Sequence, residues 1–422
     1  MTIPTRTEAI AQARARGDRI AGVLPIHYPR ALLRAHGVHP VEVWAPPRQD
    51  PTAGNAHFQA YACAIVRHGA ALLLAGPGQQ VDLILVPHTC DALQGLGSVL
   101  LDFVKPRQPV LTLYHPRGRR AADRTFLERE LRRLGERLQA LTGRNPSDDE
   151  LHAAIEIEEN ATDRLGRLCV HRDEVPLSDR EFYTLVRSRE YLAAETFTAV
   201  VDDLGASDVP FAERALPAER APRRGAPTTS PPVPRAPADV TVVGAQGLPM
   251  SSGAHGLPIA FGAQGLQPLG PQPPREHRLV RLMLGGIVPE PMSIFDAVEQ
   301  MGATIVADDL ACGSRRAYQR TRDADPYARL AAALMSGPPD PTLGAPIAER
   351  AAHITRRMRD TGAQGLLVYD VKFCEPELFD LPQLRDHLAS QQLPMLHVEY
   401  ETGPTIAQQT LNRIEAFVEM LQ

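Results

Sequence analysis

The stretch Val81–Gly95, VDLILVPHTCDALQG, decides how the chain is read. Its first six residues form a largely apolar run that stops at Pro87. A short run of this kind, bounded by a turn, reads as a strand buried on both faces, as in a parallel sheet. Cys90 follows at the mouth of that strand. No second cysteine lies within four residues, so this is not a CxxC pair.

The same arrangement recurs far along the chain. The strand-like run GLLVYDV leads straight into KFCEPE and Cys374. Around these anchors, "GVLPIHYP", "HPVEVW" and "PVLTLY" read as further strands of a first region. "RALLRAHG" reads as a helix stopped at Gly37. Phe126, Leu127, Leu131, Leu134, Leu138 and Leu141 fall at three- and four-residue spacings before Gly143, which predicts an amphipathic helix. Ser147 with Glu150 predicts a capping box for the next one. From about residue 278, strand and helix alternate about four times: LVRLMLGG, SIFDAVEQMG with Ser293 as cap, ATIVADD, PIAERAAHITRRMRDTG, GLLVYDV, LPQLRDHLASQQ, LPMLHVEY and a closing helix. That alternation is the signature of a parallel sheet wrapped by helices.

The fold expected is therefore α/β, with two doubly wound, Rossmann-like lobes of parallel sheet. Residues 1–205 form the N-terminal lobe with helical additions, and 278–422 the C-terminal lobe. Between them, 206–277 is rich in proline and glycine and carries a short repeat beginning at Gly244, Gly253 and Gly262. It reads as a low-complexity, disordered linker or insert.

The totals exclude several function classes. The chain has 422 residues, a formal net charge of -5 and 43% hydrophobic residues, giving no reason to expect a nucleic-acid partner. Five cysteines are too few, and odd in number, for a secreted disulfide framework, which points to a reducing, cytoplasmic setting. The N-terminus carries Glu8 and Asp18 and no apolar core, so no export signal is read there, and no window is apolar enough to span a membrane. Neither GxGxxG nor GxxxxGK[ST] follows a strand, so nucleotide handling is not expected of this chain alone.

In an open parallel sheet, ligands bind beyond the carboxyl ends of the strands. Cys90 and Cys374 both stand there, and Cys63, in FQAYACAIVRHG, lies near a helix start. Three soft ligands on one cleft would suit an iron–sulfur cluster or zinc, with a fourth position open. The plainer reading is that each thiol simply packs in the core. Cys169 is read as such filler, and Cys312, at another strand end, as a reserve ligand. His27, His68 and His88 flank the proposed cleft, either as proton carriers or as hydrogen-bonded core residues; His88 has the best claim. Lys372 is a candidate for holding an anion or phosphate. Ser314 and Arg315, beside Asp308 and Asp309, are candidates for a CoA-type phosphate, or else form turn chemistry with local salt bridges.

The segments GVLPIHYPRALLRAHGVHPVEVW, VPHTCDALQGL, GATIVADDLACGSR, LLVYDVKFCEPELFDLPQLRDHL and the tail ending RIEAFVEML occur in an order that resembles the 2-hydroxyacyl-CoA dehydratase and benzoyl-CoA reductase family. The resemblance implies a cytoplasmic subunit that pairs with a sister subunit as a heterodimer. By position it implies a [4Fe–4S] cluster on Cys63, Cys90 and Cys374. It also implies a separate iron–sulfur ATPase that injects single electrons, and an acyl-CoA thioester substrate reduced to a ketyl radical anion before dehydration or ring reduction. On that reading His27 and His88 are catalytic, and Lys372, Ser314 and Arg315 bind the cofactor. A structural or electron-relay subunit with no substrate site of its own is the alternative, and a two-lobed binding module without a cluster a third. In GVLPIHYP no cysteine precedes the proline, unlike many dehydratase subunits. His27 stands where the reductase subunits commonly have tyrosine, and Ala31 where an acidic residue is usual.

Overall fold

The structure is a computed structural model and describes residues 2–44, 50–75, 80–205 and 279–422. The linker expectation for 206–277 lies outside the described residues.

The first sheet holds β1 (Arg19–Val23), β2 (Val38–Glu42), β3 (Leu83–His88) and β4 (Val110–Tyr114). The second holds β5 (Val280–Gly286), β6 (Ala303–Leu310), β7 (Gly365–Val371) and β8 (Met395–Tyr400). All pairings are parallel, in the orders β2-β1-β3-β4 and β6-β5-β7-β8. The sheets thus repeat one topology, and in each the strand order reverses beside the first strand, between β1 and β3 or between β5 and β7. The central strands β3 and β7 are buried along their whole length, which is why their sequences read as near-continuous apolar runs.

Helices α1 (Arg6–Ala15), α2 (Arg30–Ala35), α3 (Thr52–Asn55), α4 (Ala64–Ala75) and α5 (Asp91–Ser98) accompany the first three strands. The additions expected after β4 are α6 (Ala121–Thr142), α7 (Asp148–Val170), α8 (Asp179–Ser188) and α9 (Ala194–Gly205). The second sheet carries α10 (Ser293–Gln300), α11 (Pro326–Leu334), α12 (Ile347–Thr361), α13 (Glu375–Ser390) and α14 (Gln408–Leu421). Leu127, Leu131, Leu134 and Leu138 of α6 are buried as their spacing requires, while Phe126 and Leu141 sit half-buried on the flanks. Gly143 ends α6 at φ 73, and Ser147 and Glu150 form the expected capping box. Three boundaries differ from the sequence reading. Met292 occupies the cap position of α10, so Ser293 is its first helical residue. β1 ends at Val23, leaving Leu24–Pro29 as a buried connection to α2. The helix α13 begins directly after Cys374 and runs through Pro382 rather than starting at Leu381.

The two sheets share an apolar core. One continuous cluster joins Leu24, Ile84 and Val86 of the first sheet region to Leu282, Leu367 and Tyr369 of the second. A second cluster sets Leu330 and Leu334 of α11 against Leu83, Leu85 and the α6 leucines.

Buried charge reinforces the packing of the second sheet. Arg315 donates to Asp309 (3.0 and 2.9 Å) and to Glu377 (2.5 Å), and Arg350 donates to Asp309 (3.2 and 3.0 Å), Glu377 (2.5 Å) and Asp380 (2.9 Å). Burial alone would raise the Asp309 pKa, but the Arg315 and Arg350 guanidinium groups outweigh it and hold the carboxylate below its usual range. Removing Asp309 leaves two buried guanidinium groups with one carboxylate fewer to balance them. Asp309→Asn is therefore expected to lose about 3–5 kcal/mol of folding stability, measured by chemical denaturation. A loss within ~0.5 kcal/mol, typical of a surface site, would show that the network does not hold the fold.

Candidate functional site

The carboxyl ends of β1, β3, β5 and β7 converge on one cavity of about 430 Å³, its open mouth included. Pro25 and Ile26 follow β1, Thr89 and Cys90 follow β3, Ile287 follows β5 and Cys374 follows β7. Cys63 closes the set from the start of α4, with Trp44, Ile65, Val66, Leu93, Thr342 and Pro376 completing the wall. The strand-order reversals of both sheets thus face the same space, the position where open α/β sheets hold ligands.

Each cysteine immediately precedes a helix: Cys63 before α4, Cys90 before α5, Cys374 before α13. Each of these N-termini presents the positive end of a helix dipole, about half an elementary charge. At Cys63 and Cys90, N–H groups of the first turn reach the sulfur. A left-handed residue, Phe373 at φ 65, turns the chain from β7 into α13 and sets Cys374 at its start. The Ala64 amide donates to the Lys372 carbonyl (3.5 Å), tying the Cys63 and Cys374 segments together.

The three thiols are not equivalent. A hydrogen bond from Cys374 and the N–H groups of Ile65 and Val66 lower the Cys63 pKa against the opposing effect of burial. The donor in that pair, Cys374, is raised well above the usual thiol range, first by that bond and then by burial. Burial pushes Cys90 up to about 12, although the N–H groups of Leu93 and Ala92 act the other way. Asp370, at the end of β7, is fully buried with neither carboxylate oxygen hydrogen-bonded. Burial, then repulsion from Glu377 and Cys63, raises its pKa well above the carboxylate range.

Whether these residues suit a metal group can be judged from the donor set. Three thiols on an otherwise apolar wall match a thiolate-held iron–sulfur group. Among the described residues no three His, Cys, Asp or Glu form a group that holds a single metal ion. All three cysteines line the same cavity, which brings the donors of the sequence reading to one place.

The remaining sequence candidates fall outside that cavity. His27, in the left-handed conformation at φ 60, is buried with both ring nitrogens engaged: Nδ1 with the Tyr318 hydroxyl (2.6 Å) and Nε2 with Asp340 (3.1 Å). It lines a second, more polar cavity of about 730 Å³ with His115, Arg117, Arg119 and Glu349. The two cavities share a wall, since Ile26 and Thr342 line the first while His27 and Leu343 line the second. Asp340 spans that wall, accepting from the Thr342 hydroxyl at 2.6 Å. His88 is packed edge-on against Tyr114, its ring centroid 4.3 Å away, and lines neither cavity. Burial lowers its pKa, and among the described residues both of its ring nitrogens lack partners. His68 is likewise buried and lowered by desolvation.

Ser314 and Arg315 do not face a ligand space. Ser314 donates to the Asp308 carbonyl (2.8 Å), and Arg315 is fully buried with three of its five N–H groups donating to Asp309 and Glu377. Both residues thus take part in local turn and salt-bridge contacts, the alternative the sequence reading left open. Lys372 is paired on the surface with Glu401 (2.9 Å). Cys312 and Cys169 are buried and line neither cavity.

The sequence reading missed Glu42, which sets one wall of the cysteine cavity. Its carboxylate accepts from Trp44 Nε1 (2.8 Å), the Tyr28 hydroxyl (2.9 Å), Arg30 (2.5 Å) and Arg316 (2.7 Å). Nothing in HPVEVW marks it, because Arg316 is far away in the chain. A charged residue inside an apolar strand was the one available signal.

With this geometry in view, the comparisons identify the family. Residues 25–222 and 266–421 match the profile of the 2-hydroxyglutaryl-CoA dehydratase D-component family. The chain belongs to it. It is 21% identical to the beta subunit of (R)-2-hydroxyglutaryl-CoA dehydratase from Acidaminococcus fermentans, covering 98% of this chain and 95% of that protein. It is also 21% identical to the (R)-phenyllactyl-CoA dehydratase beta subunit of Clostridium sporogenes, over 96% and 92% of the two chains. A benzoyl-CoA reductase subunit of Thauera aromatica is 22% identical over 90% and 85%. Family membership agrees with the resemblance read from the sequence. Among the described residues no helix is long and apolar enough to cross a membrane.

His115, on the wall of the second cavity, has Nε2 shut from solvent without a partner. Burial, with the nearby His27 and His88, lowers its pKa from 6.5 to about 3. The unfolded chain therefore binds a proton that the folded chain refuses as pH falls below about 6.5, so stability must fall in that window and level off near 3. Between pH 7 and 5 this amounts to up to about 2 kcal/mol. His115→Gln should lose that much less than the parent over the same interval in denaturant titrations; equal losses would show that His115 is not held neutral.

Proposed function

We propose that this chain is one subunit of an enzyme that acts on a CoA thioester as a 2-hydroxyacyl-CoA dehydratase or a benzoyl-CoA-type reductase. It would work beside a sister subunit of the same family and a separate ATP-driven iron–sulfur activator. The observation carrying this reading is the meeting of Cys63, Cys90 and Cys374, each at a helix N-terminus, in one cavity at the reversals of both sheets. The three relatives named above lend support, being parts of enzymes named for CoA thioesters.

On this reading the three cysteines hold a [4Fe–4S] cluster, which when bound supplies a one-electron redox centre. The chain's own residues bind it as thiolates, and three helix N-termini offset their charge. Trp44, Ile26, Ile65, Val66, Leu93 and Ile287 keep water away. That exclusion also raises the strength of each electrostatic interaction inside. One observation favours an electron-relay role over a substrate site in this chain. Among the described residues the cavity wall bears no charged side chain, and its hydroxyls belong to Thr89 and Thr342. A thioester carbonyl taking up negative charge needs preorganised donors or cations beside it. The polar cavity with Arg117 and Arg119 lies beyond the Ile26–His27 wall.

Anaerobic reconstitution with ferrous iron and sulfide tests the reading. One cluster per chain is expected by iron and sulfide analysis and by electron paramagnetic resonance of the reduced protein. Cys63→Ser, Cys90→Ser and Cys374→Ser should each lower that content severalfold, whereas Cys169→Ser should leave it intact. Iron and sulfide uptake indifferent to all three changes would refute the site.

A further inference from the structure

The cysteine cavity holds one polar group that nothing so far employs. Thr89 directly precedes Cys90, lines the cavity and is 1% exposed, yet its Oγ1 has no hydrogen-bond partner. A buried hydroxyl left unsatisfied is destabilising. Such orphans are rare enough to call for an explanation.

Among the described residues its surroundings offer none. The rest of the wall is apolar apart from the three thiols and Thr342. The Thr342 hydroxyl is spent, because it donates its proton to Asp340 at 2.6 Å. Its amide donates to the same carboxylate at 2.8 Å, which pins the residue in place. Thr89 is therefore the one hydroxyl of this wall whose proton is uncommitted. Its amide is turned back to the Pro87 carbonyl (3.0 Å), so the backbone at this point is fixed. A wall residue on a fixed backbone, next to a cysteine and with its hydroxyl uncommitted, is a preset donor awaiting an acceptor.

We propose that the Thr89 hydroxyl is a positioning residue that donates a hydrogen bond to sulfur of the iron–sulfur group held by Cys63, Cys90 and Cys374. This rests on the cluster reading above. Hydrogen bonds to the sulfurs are among the factors that set the potential of such a group. A donor stabilises the reduced form, which carries the extra negative charge, more than the oxidised form. The Thr89 hydroxyl thus raises the reduction potential of the site above what its apolar walls alone would give.

The test is a redox titration of the full, reconstituted chain, followed by electron paramagnetic resonance, for the parent, Thr89→Val and Thr89→Ser. Valine keeps the shape and removes the donor; serine keeps the donor and removes the methyl. Expected is an unchanged iron and sulfide content, a more negative midpoint potential and altered g-values in Thr89→Val, with Thr89→Ser close to the parent. Loss of the cluster from Thr89→Val but not from Thr89→Ser, with both folded by circular dichroism, also supports the assignment. Should valine not fold, Thr89→Ala takes its place and the same readings apply. Parent and donor-free variants with the same potential and spectrum overturn the inference and leave the cluster standing. So does a shift in serine as large as that in valine, which would trace the effect to the methyl group. A parent chain that takes up no iron and sulfide overturns both the inference and the reading beneath it.

Discussion

Two adjacent arginines at the end of the second sheet's edge strand organise the molecule. Arg315 turns inward to Asp309 and Glu377, and lies 3.9 Å from Asp340. Arg316 turns the other way, donating to Glu42 of the first sheet at 2.7 Å. Glu377 belongs to α13, whose first residue follows Cys374, and Glu42 positions Trp44 on the cavity wall. Asp340 holds His27, one residue beyond Ile26 on that wall. The short GSRR segment therefore fixes three sides of the cysteine cavity. Buried ion pairs seldom add net stability over well-packed apolar residues. What the network contributes is register: α13, the β1 loop and the β2 end can take only the arrangement that satisfies every charge.

That requirement explains why the repeated topology of the two sheets matters. A strand-order reversal leaves a crevice at the carboxyl edge, since the flanking helices leave on opposite faces. One crevice is shallow and open to water. Opposing two of them across a shared apolar core gives a buried space with four strand ends around it. Three of its entering connections lead directly into helices, so a ligand residue placed there meets a helix N-terminus by construction.

The sequence made the strands, most helices and the three cysteines legible, because these depend on local periodicity and on turn position. The apolar runs of β3 and β7 and the leucine spacing of α6 are sufficient in themselves. For Arg315, Ser314 and His88 the sequence left a ligand role and a structural one open together. A polar residue at a strand end looks the same whether it faces a ligand or a buried carboxylate, and the Arg315–Glu377 pair is 62 residues apart. The partners of His27 lie still farther along, at Tyr318 and Asp340. The orphan state of Thr89 is invisible for a related reason: the absence of a partner is a property of the assembled wall.

The field at the cavity follows from how the nearby acids are handled. Asp370 and Glu377 both lie close in sequence to Cys374 and would oppose any anion there. Glu377 is neutralised by Arg315 and Arg350. Asp370 has no cation beside it, and burial favours its neutral acid. Both nevertheless push the Cys374 thiol further up, while the N–H groups of Ile65 and Val66 and the nearby Arg67 act the other way at Cys63. The field across the cavity is therefore uneven: it favours the thiolate at Cys63 and the neutral thiol at Cys90 and Cys374.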